Sequence, residues 1–191
     1  MTYAQLIADV AAYLHRTDLT SMMSRFVALA EARFSRVLRV RQMETAITGT
    51  IASNEVALPA DFVGTKVLYA VGYEGTPLLS RSVDYVISRN ATDGIPVNYA
   101  VTNGAWLFDG SGDIEGTYYA AVPSLETDDE TWLSIAAPDA YLFGTLSEAC
   151  LYVADEQRAS MYAARAAAAI AELAGADARD RHSGLLAAVK R

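Results

Sequence analysis

Hydrophobic side chains recur at helical spacing near the start of the chain, most clearly over residues 20–43. Projected at about 100° per residue, the apolar positions of this segment share one arc: Met23, Phe26, Val27, Ala30, Phe34, Val37 and Leu38. Four arginines lie on roughly the opposite side: Arg25, Arg33, Arg36 and Arg39. Because burying a large apolar side chain gains about 1.5–3 kcal/mol, we expect the apolar arc to face a core. This helix is therefore predicted to be the element around which the rest packs.

A shorter helix is predicted before it, over residues 2–15. Thr2 and Gln5 match a capping box, in which each side chain satisfies a backbone amide at the helix start. The turn that follows offers Asp18 or Thr20 as the cap of the second helix. Because the connection is so short, the two helices are expected to form an antiparallel pair.

After residue 44 the apolar spacing changes from helical to alternating. Segments rich in β-branched residues, separated by turn signals, predict strands at 45–52, 55–58, 65–73, 97–102, 105–108 and 114–122. The last two are expected to form a hairpin with a loop at 109–112, and a short helix capped by Ser82 is predicted at 82–90. Short strands at this spacing are typical of a small antiparallel sheet or sandwich.

Helical spacing returns at Pro138, which is predicted to open a long helix. An alanine-rich helix follows from about residue 157 to 173, and Gly175 is predicted to end it. Residues 176–191 are charged and then mildly amphipathic at Leu185, Leu186 and Val189. We expect them to form a flexible tail that becomes ordered on a partner.

The predicted fold class is α+β: a helical bundle formed by the N- and C-terminal helices, with an inserted small antiparallel β module. In this interpretation residues 1–44 and 125–175 form the bundle, and residues 45–124 form the module. Residues 176–191 form the tail. The acidic segment at 125–130 connects module and bundle.

Composition narrows the class of protein. Of 191 residues, 52% are hydrophobic and 20% charged, which is ordinary globular composition and excludes wholesale disorder. A single cysteine excludes a disulfide within the chain and favours a reducing cytosol. The N-terminal sequence enters an amphipathic pattern directly, so no signal peptide is expected. The longest apolar tract, at 163–174, contains Arg165 and Glu172, so no membrane span is expected.

Charge is unevenly distributed along the chain, whose net charge is −8. Residues 1–45 hold six arginines against four acidic residues, whereas the remainder holds nine basic and nineteen acidic residues. The arginine side of the 20–43 helix could contact nucleic acid, although the acidic chain and the lack of interleaved aromatic residues oppose this. It could also simply be solvated. The asymmetry favours a third interpretation, contact with an acidic surface of another subunit or protein.

No residue pattern indicates catalysis, a metal or a cofactor. The acidic loop at 109–116 alternates oxygen side chains, but a calcium loop would need glycine at the position of Ile114 and glutamate at that of Ala120. Cys150 has no histidine near it in sequence, which favours a buried structural thiol over a nucleophile. Two histidines and one cysteine far apart do not make a zinc site.

Several short motifs are weak indicators singly but informative in their order along the chain. They are FVALAEAR at 26–33 with RVLR at 36–39, ME at 43–44, LPADF at 58–62, PL at 77–78, GIPVNY at 94–99, YYAAVP at 118–123, PDAYL at 138–142 and EA at 148–149. In this order and spacing, the chain resembles the head-to-tail adaptor (connector) proteins of tailed bacteriophages over nearly its whole length. None of these motifs is a catalytic signature.

The resemblance implies a non-enzymatic structural protein of the virion neck, assembled in the cytoplasm of a bacterial host. Such proteins form a ring, usually dodecameric, beneath the portal protein, extend the DNA channel and dock the tail or nozzle protein. DNA would pass through the lumen without sequence-specific binding, and no cofactor or membrane contact is implied. A tail-completion, neck or nozzle protein is the alternative, and a small enzyme with an unrecognised site is a weaker one.

Combined with the charge pattern, this predicts the residues that contact another subunit or the portal. The candidate interface residues are Arg25, Arg33, Arg36, Arg39, Leu185, Leu186 and Val189.

Overall fold

The computed structural model describes residues 1–89 and 94–186, and the chain divides into two compact units. The helical unit comprises Met1–Gln42 and Val122–Arg191, and the β unit comprises Met43–Ala121. The fold is mixed α+β with small, mainly antiparallel sheets, which confirms the predicted fold class at that level.

The helices and strands follow one another as the change of spacing predicted. The helices are α1 (Tyr3–Leu14), α2 (Met23–Val37), α3 (Val83–Ser88), α4 (Leu125–Asp128), α5 (Trp132–Ala136), α6 (Pro138–Tyr152) and α7 (Glu156–Leu186), with short 3-10 helices at Thr20–Met22 and Arg41–Met43. The strands are β1 (Glu44–Thr50), β2 (Glu55–Ala57), β3 (Phe62–Ala70), β4 (Leu79–Ser80), β5 (Asn98–Val101), β6 (Ala105–Phe108) and β7 (Asp113–Ala120).

Helix α6 is the centre of the helical unit, because α1, α2, α5 and α7 all pack against it. Its buried side chains point in several directions and include Tyr141, Leu146 and Cys150. Gly144 admits the ring of Phe34, since a Cβ there would lie 2.7 Å from Phe34 Cζ. The prediction that α2 is the central element is therefore wrong. A helix buried on most sides lacks the one-sided apolar pattern that makes α2 conspicuous.

The start of the chain tests the predicted caps. The capping box of Thr2 and Gln5 is present at α1 and is confirmed. The predicted cap of α2 is wrong, because Asp18 instead pairs with Arg16 at 2.6 Å and the Thr20 hydroxyl donates to the Thr17 carbonyl at 2.7 Å. Helices α1 and α2 each contact α6 more than they contact each other, so an α1–α2 pair is not the main packing unit.

Helix α7 continues past Gly175 to Leu186, so the prediction that this glycine ends the helix is wrong. The segment beyond it is tied down by Asp177, whose side chain is 6% exposed. The Asp177 carboxylate pairs with Arg41 at 3.0 Å and with Arg181 at 2.6 Å. These ion pairs, one of them to a residue distant in sequence, stabilise helix where the local signal predicted its end.

The β unit contains two sheets. Strand order is β1-β7-β3 in the first and β2-β6-β5-β4 in the second, with β4 and β5 parallel and the other pairs antiparallel. Strands β6 and β7 lie in different sheets, so the predicted hairpin between them is wrong. The hairpin is instead formed by β5 and β6 around Gly104, which has a φ of 106°. Trp106 and Phe108 are fully buried in the core between the strands.

Candidate functional site

One face of α2 carries a row of residues on successive helical turns, all exposed except Arg33, which is half-buried. Arg25, Leu29, Arg33 and Arg36 are spaced by four, four and three residues, so they lie in line along the helix. Arg25 and Arg36 are exposed, and Leu29 is 45% exposed between them. The row therefore combines positive charge with apolar surface.

The apolar arc predicted for residues 23–38 is buried, including Leu38 at its end, except at Val37. Met23, Phe26, Val27, Ala30 and Phe34 are all buried. Val37, the last residue of α2, was expected to be buried but is 66% exposed. Val37 thus adds a second exposed aliphatic side chain to the α2 surface.

Arg33 differs from its neighbours in the row because it is engaged within the helical unit. Its guanidinium donates to the Glu148 carboxylate of α6 at 2.6 Å, and the Glu148 side chain is 12% exposed. Arg33 therefore ties α2 to α6. It lies in the predicted surface, but part of its hydrogen-bonding capacity is already used.

Arg39 does not join the row. It follows the end of α2, and its guanidinium donates to the backbone carbonyls of Ser35, at 2.9 Å, and Leu38. The last carbonyls of a helix lack partners within the helix, and a basic side chain can satisfy them. Arg39 thus closes the C-terminus of α2, while the structure brings Arg25, Arg33 and Arg36 together.

Two clefts flank the Arg33–Glu148 pair and give the row the form of a trough. The first is lined by Arg25, Phe26 and Leu29 of α2 and by Leu151 and Tyr152 at the end of α6. The second is an almost wholly apolar groove of about 170 Å³ between the end of α2 and α7. Its α7 wall is made of five alanines and Ile170. Because alanine side chains are short, they do not fill the space between α7 and the end of α2, and a groove remains.

A second surface of the helical unit is strongly acidic. We define the acidic corner as Glu126, Asp128, Asp129 and Glu130, which are all exposed. The sequence predicted a connector here, whereas residues 125–128 form the single turn α4. Close to the corner in sequence, Ile135 of α5 is 67% exposed. This part of the sequence therefore supplies both exposed charge and an exposed aliphatic side chain.

The acidic corner is held in place by a buried carboxylate that the sequence pattern did not identify. Glu31 of α2 is 7% exposed, and its Oε1 accepts from the Leu125 amide at 2.7 Å and from the Tyr141 hydroxyl at 3.2 Å. Burial raises the pKa of Glu31, and the nearby charges of Glu126 and Asp128 raise it further. The sequence did offer one indication of this buried carboxylate: Glu31 is an acidic residue among the buried residues of α2.

Two of the predicted C-terminal contact residues lie further along α7 than the residues that line the groove. Leu185 and Leu186 belong to the last turn of α7. Leu185 lies eleven residues after Ala174, the last α7 residue of the groove, which is about 16 Å along a helix. Val189 lies outside the described residues. Along α7, Leu185 is thus about three helical turns beyond the groove.

Two other polar residues considered from sequence, Cys150 and Asp109, have structural surroundings. Cys150 is buried, as predicted, and burial raises the pKa of its thiol. The Asp109 carboxylate accepts from the backbone amides of Val97 and Asn98, each at 2.9 Å, and so fixes the start of β5. In the part of the chain that the structure describes, no group of acidic, histidine or cysteine side chains is arranged to hold a metal ion.

The sequence predicted no membrane span. Over residues 1–89 and 94–186, no helix has the length and apolar character needed to cross a bilayer.

Comparison with known proteins identifies the family. No curated protein sequence matches the chain. The family model described as SU10 adaptor protein matches residues 1–189, almost the entire chain. The resemblance inferred from the order of the motifs is therefore confirmed. The chain belongs to the SU10 adaptor protein family, a family of phage head-to-tail adaptors.

Proposed function

We propose that this protein is a structural ring-forming adaptor, which binds beneath the portal of a tailed phage, extends the DNA channel and docks the tail. Membership of the family supports the broader statement: a phage adaptor that interacts with other virion proteins at the neck, with a structural role. The observation that carries the finer proposal is the α2 trough, where Arg25 and Arg36 flank exposed Leu29. Subunit interfaces combine apolar contact with arginine in this way.

The charge of the chain suits a channel wall. DNA-binding proteins gain affinity by neutralising phosphates with lysine and arginine. A chain of net charge −8 offers little such neutralisation, so DNA would slide past it without adhering. In this proposal the trough faces a neighbouring protein, and the DNA passes through the lumen without sequence-specific binding.

The proposal assigns separate tasks to the parts of the chain. The terminal helical segments, 1–44 and 125–175, form the bundle that carries the assembly surfaces, and 45–124 are an inserted β module. Residues 176–191, with Leu185, Leu186 and Val189, contact a neighbouring subunit or the portal protein. A ring of twelve copies is expected in the virion.

Electron microscopy of the protein mixed with the portal protein of the same phage tests the proposal. We expect ring-shaped density added to one end of the portal, absent when either protein is alone. The double variant R25E/R36E should abolish the added ring while its circular dichroism spectrum stays native. Arg33 and Arg39 are left unchanged, because both have partners within the helical unit.

The matched control is R165E/R179E, which makes the same change of charge at two exposed positions on α7 outside the groove. This control should assemble normally. Binding to the tail tube and not to the portal would favour a tail-completion or nozzle protein. Normal portal binding by R25E/R36E would separate the trough from the proposed function.

A further inference from the structure

We infer that the trough of one copy receives the acidic corner of the next copy, so that neighbouring subunits associate head to tail. The inference rests on the proposed function in one respect, that copies of this chain assemble with one another. It goes further by assigning the two complementary surfaces. One is the α2 row of Arg25, Leu29 and Arg36 with its apolar groove, and the other is the acidic corner with Ile135.

The two surfaces complement each other in charge. Among the residues described, neither Arg25 nor Arg36 forms an ion pair or hydrogen bond, and both are exposed. The four carboxylates of the corner likewise form no salt bridge within the described part of the chain, although Asp129 accepts from the Tyr3 amide at 3.3 Å. Each surface therefore concentrates one sign of charge without neutralising partners of its own.

The geometry of α2 prevents one copy from joining its own two surfaces. The acidic corner is attached to α2 through Glu31, which binds the Leu125 amide at 2.7 Å. Around the helix, Glu31 lies about 120–160° away from Arg25, Arg33 and Arg36. The corner and the trough are thus on opposite sides of one helix, and the complement of each must come from another molecule. A contact between two different surfaces repeats from copy to copy and closes into a ring if the rotation permits.

The apolar parts of the two surfaces also match. Ile135, five residues after Glu130 in sequence, is 67% exposed, while Leu29 at 45% and Val37 at 66% are exposed along the trough. Docking the corner would allow Ile135 to enter the apolar groove, whose volume is about 170 Å³. Interfaces usually gain their affinity by burying large apolar side chains at the centre, within a rim of polar and charged residues.

The other occupants fit less well. The C-terminal segment of the same chain carries Lys190 and Arg191 and would bring positive charge to an arginine-lined trough. Nucleic acid would match the arginines, but two exposed arginines around a leucine offer few phosphate contacts. A second copy supplies both the carboxylates and the aliphatic side chain.

Charge reversal on each surface provides the first test, with self-association measured by sedimentation velocity over a range of concentrations. R25E/R36E should weaken self-association by roughly tenfold or more, since it sets like charges opposite each other. E126R/E130R should weaken it to a similar extent. An equimolar mixture of the two variants should restore wild-type association, because alternating copies then present opposite charges at every contact. R165E/R179E is the control and should behave as wild type.

Chemical cross-linking tests the pairing of surfaces directly. In a background of Cys150→Ala, protein with Val37→Cys, a change at the exposed edge of the apolar groove, is mixed with protein carrying Ile135→Cys and treated with a short bismaleimide. We expect a dimer that contains one copy of each. Dimers of the Val37→Cys protein with itself would indicate a two-fold contact and overturn the inference, as would the absence of any cross-link.

The outcomes separate the inference from the proposed function. If the wild-type protein stays monomeric at all concentrations and with portal protein present, ring formation itself fails and the inference fails with it. If the wild type assembles but the mixture of reversed variants does not, only the pairing of surfaces is wrong. Binding to duplex DNA that R25E/R36E abolishes, with self-association unchanged, would assign the trough to nucleic acid and also overturn the inference.

Discussion

Replacing Glu31 with alanine is expected to destabilise the helical unit, although the side chain lies in no predicted site. Glu31 Oε1 accepts two buried hydrogen bonds, from the Leu125 amide at 2.7 Å and the Tyr141 hydroxyl at 3.2 Å. Alanine removes both acceptors at once. The Tyr141 hydroxyl keeps Thr131 Oγ1 as a neighbour at 3.3 Å, whereas the Leu125 amide loses its partner.

The magnitude follows from the group left without a partner. A buried amide without an acceptor costs about 1–3 kcal/mol. Removing a buried carboxylate near Glu126 and Asp128 relieves some desolvation and repulsion, which offsets part of that cost. We therefore expect the free energy of unfolding of Glu31→Ala to fall by about 1–2 kcal/mol, the lower part of that range. Glu31→Gln retains an acceptor oxygen without charge and should lie within about 1 kcal/mol of wild type.

The same pair of proteins has a predicted dependence on pH. Burial raises the folded-state pKa of Glu31 above its unfolded value, which is about 4.3 for glutamate. The stabilisation contributed by the protonated form is then fully present below the unfolded pKa and is lost as pH rises through the folded pKa. Relative to Glu31→Gln, which does not titrate, wild type should therefore lose stability as pH rises from about 4 towards neutrality.

Urea unfolding followed by circular dichroism, repeated between acidic and neutral pH, measures these differences. Amide hydrogen exchange at Leu125 provides a local readout, since its protection should fall in Glu31→Ala and persist in Glu31→Gln. Equal losses of stability in the two variants would contradict the argument that the cost comes from the Leu125 amide without an acceptor. A wild-type advantage over Glu31→Gln that grows with pH would refute the raised pKa.

Three further predictions concern packing and the C-terminal segment. Gly144→Ala should destabilise the protein by about 1–3 kcal/mol in thermal unfolding, because the new Cβ would lie 2.7 Å from the buried Phe34 ring. Gly175→Ala is the matched helical control and should raise stability by about 0.5–1 kcal/mol, since its Cβ meets only Arg179, at 3.5 Å. Asp177→Ala should increase tryptic cleavage in the second half of α7, because the carboxylate binds both Arg41 and Arg181; unchanged cleavage would contradict the anchoring role. Deleting residues 182–191 should leave the thermal unfolding midpoint unchanged but weaken portal binding in a pull-down, and full binding would remove the tail from the proposal.

Features set by neighbouring residues could be predicted from the sequence. The capping box at Thr2 and the cap of α3 by Ser82 depend on residues three positions apart, and both are present. The order of helices and strands followed from the period of the apolar side chains. Features set by distant residues could not be predicted in this way. Strands β6 and β7 have hairpin-like spacing, but their actual partners come from elsewhere in the β unit.

The candidate site divides in the same way. Helical periodicity placed Arg25, Arg33 and Arg36 on one face, which the structure bears out. That Arg33 is already paired could not be predicted, because its partner, Glu148, lies 115 residues away. The alanines of α7 read as an ordinary helical run, and only their position beside the end of α2 makes them the wall of a groove.

Helix α2 couples the two proposed contact surfaces, and this coupling yields a final prediction. Its exposed face carries the arginine row, while Glu31 on another face holds Leu125 at the start of the acidic corner. Glu31→Ala should therefore weaken self-association as well as stability, because a corner that is no longer fixed to α2 must lose more conformational freedom on docking. Glu31→Gln keeps the acceptor and should assemble as wild type. Sedimentation velocity of the two variants, below the temperature at which either unfolds, measures the difference. Equal association of Glu31→Ala and wild type would mean that the corner needs no such support, or that it takes no part in the contact.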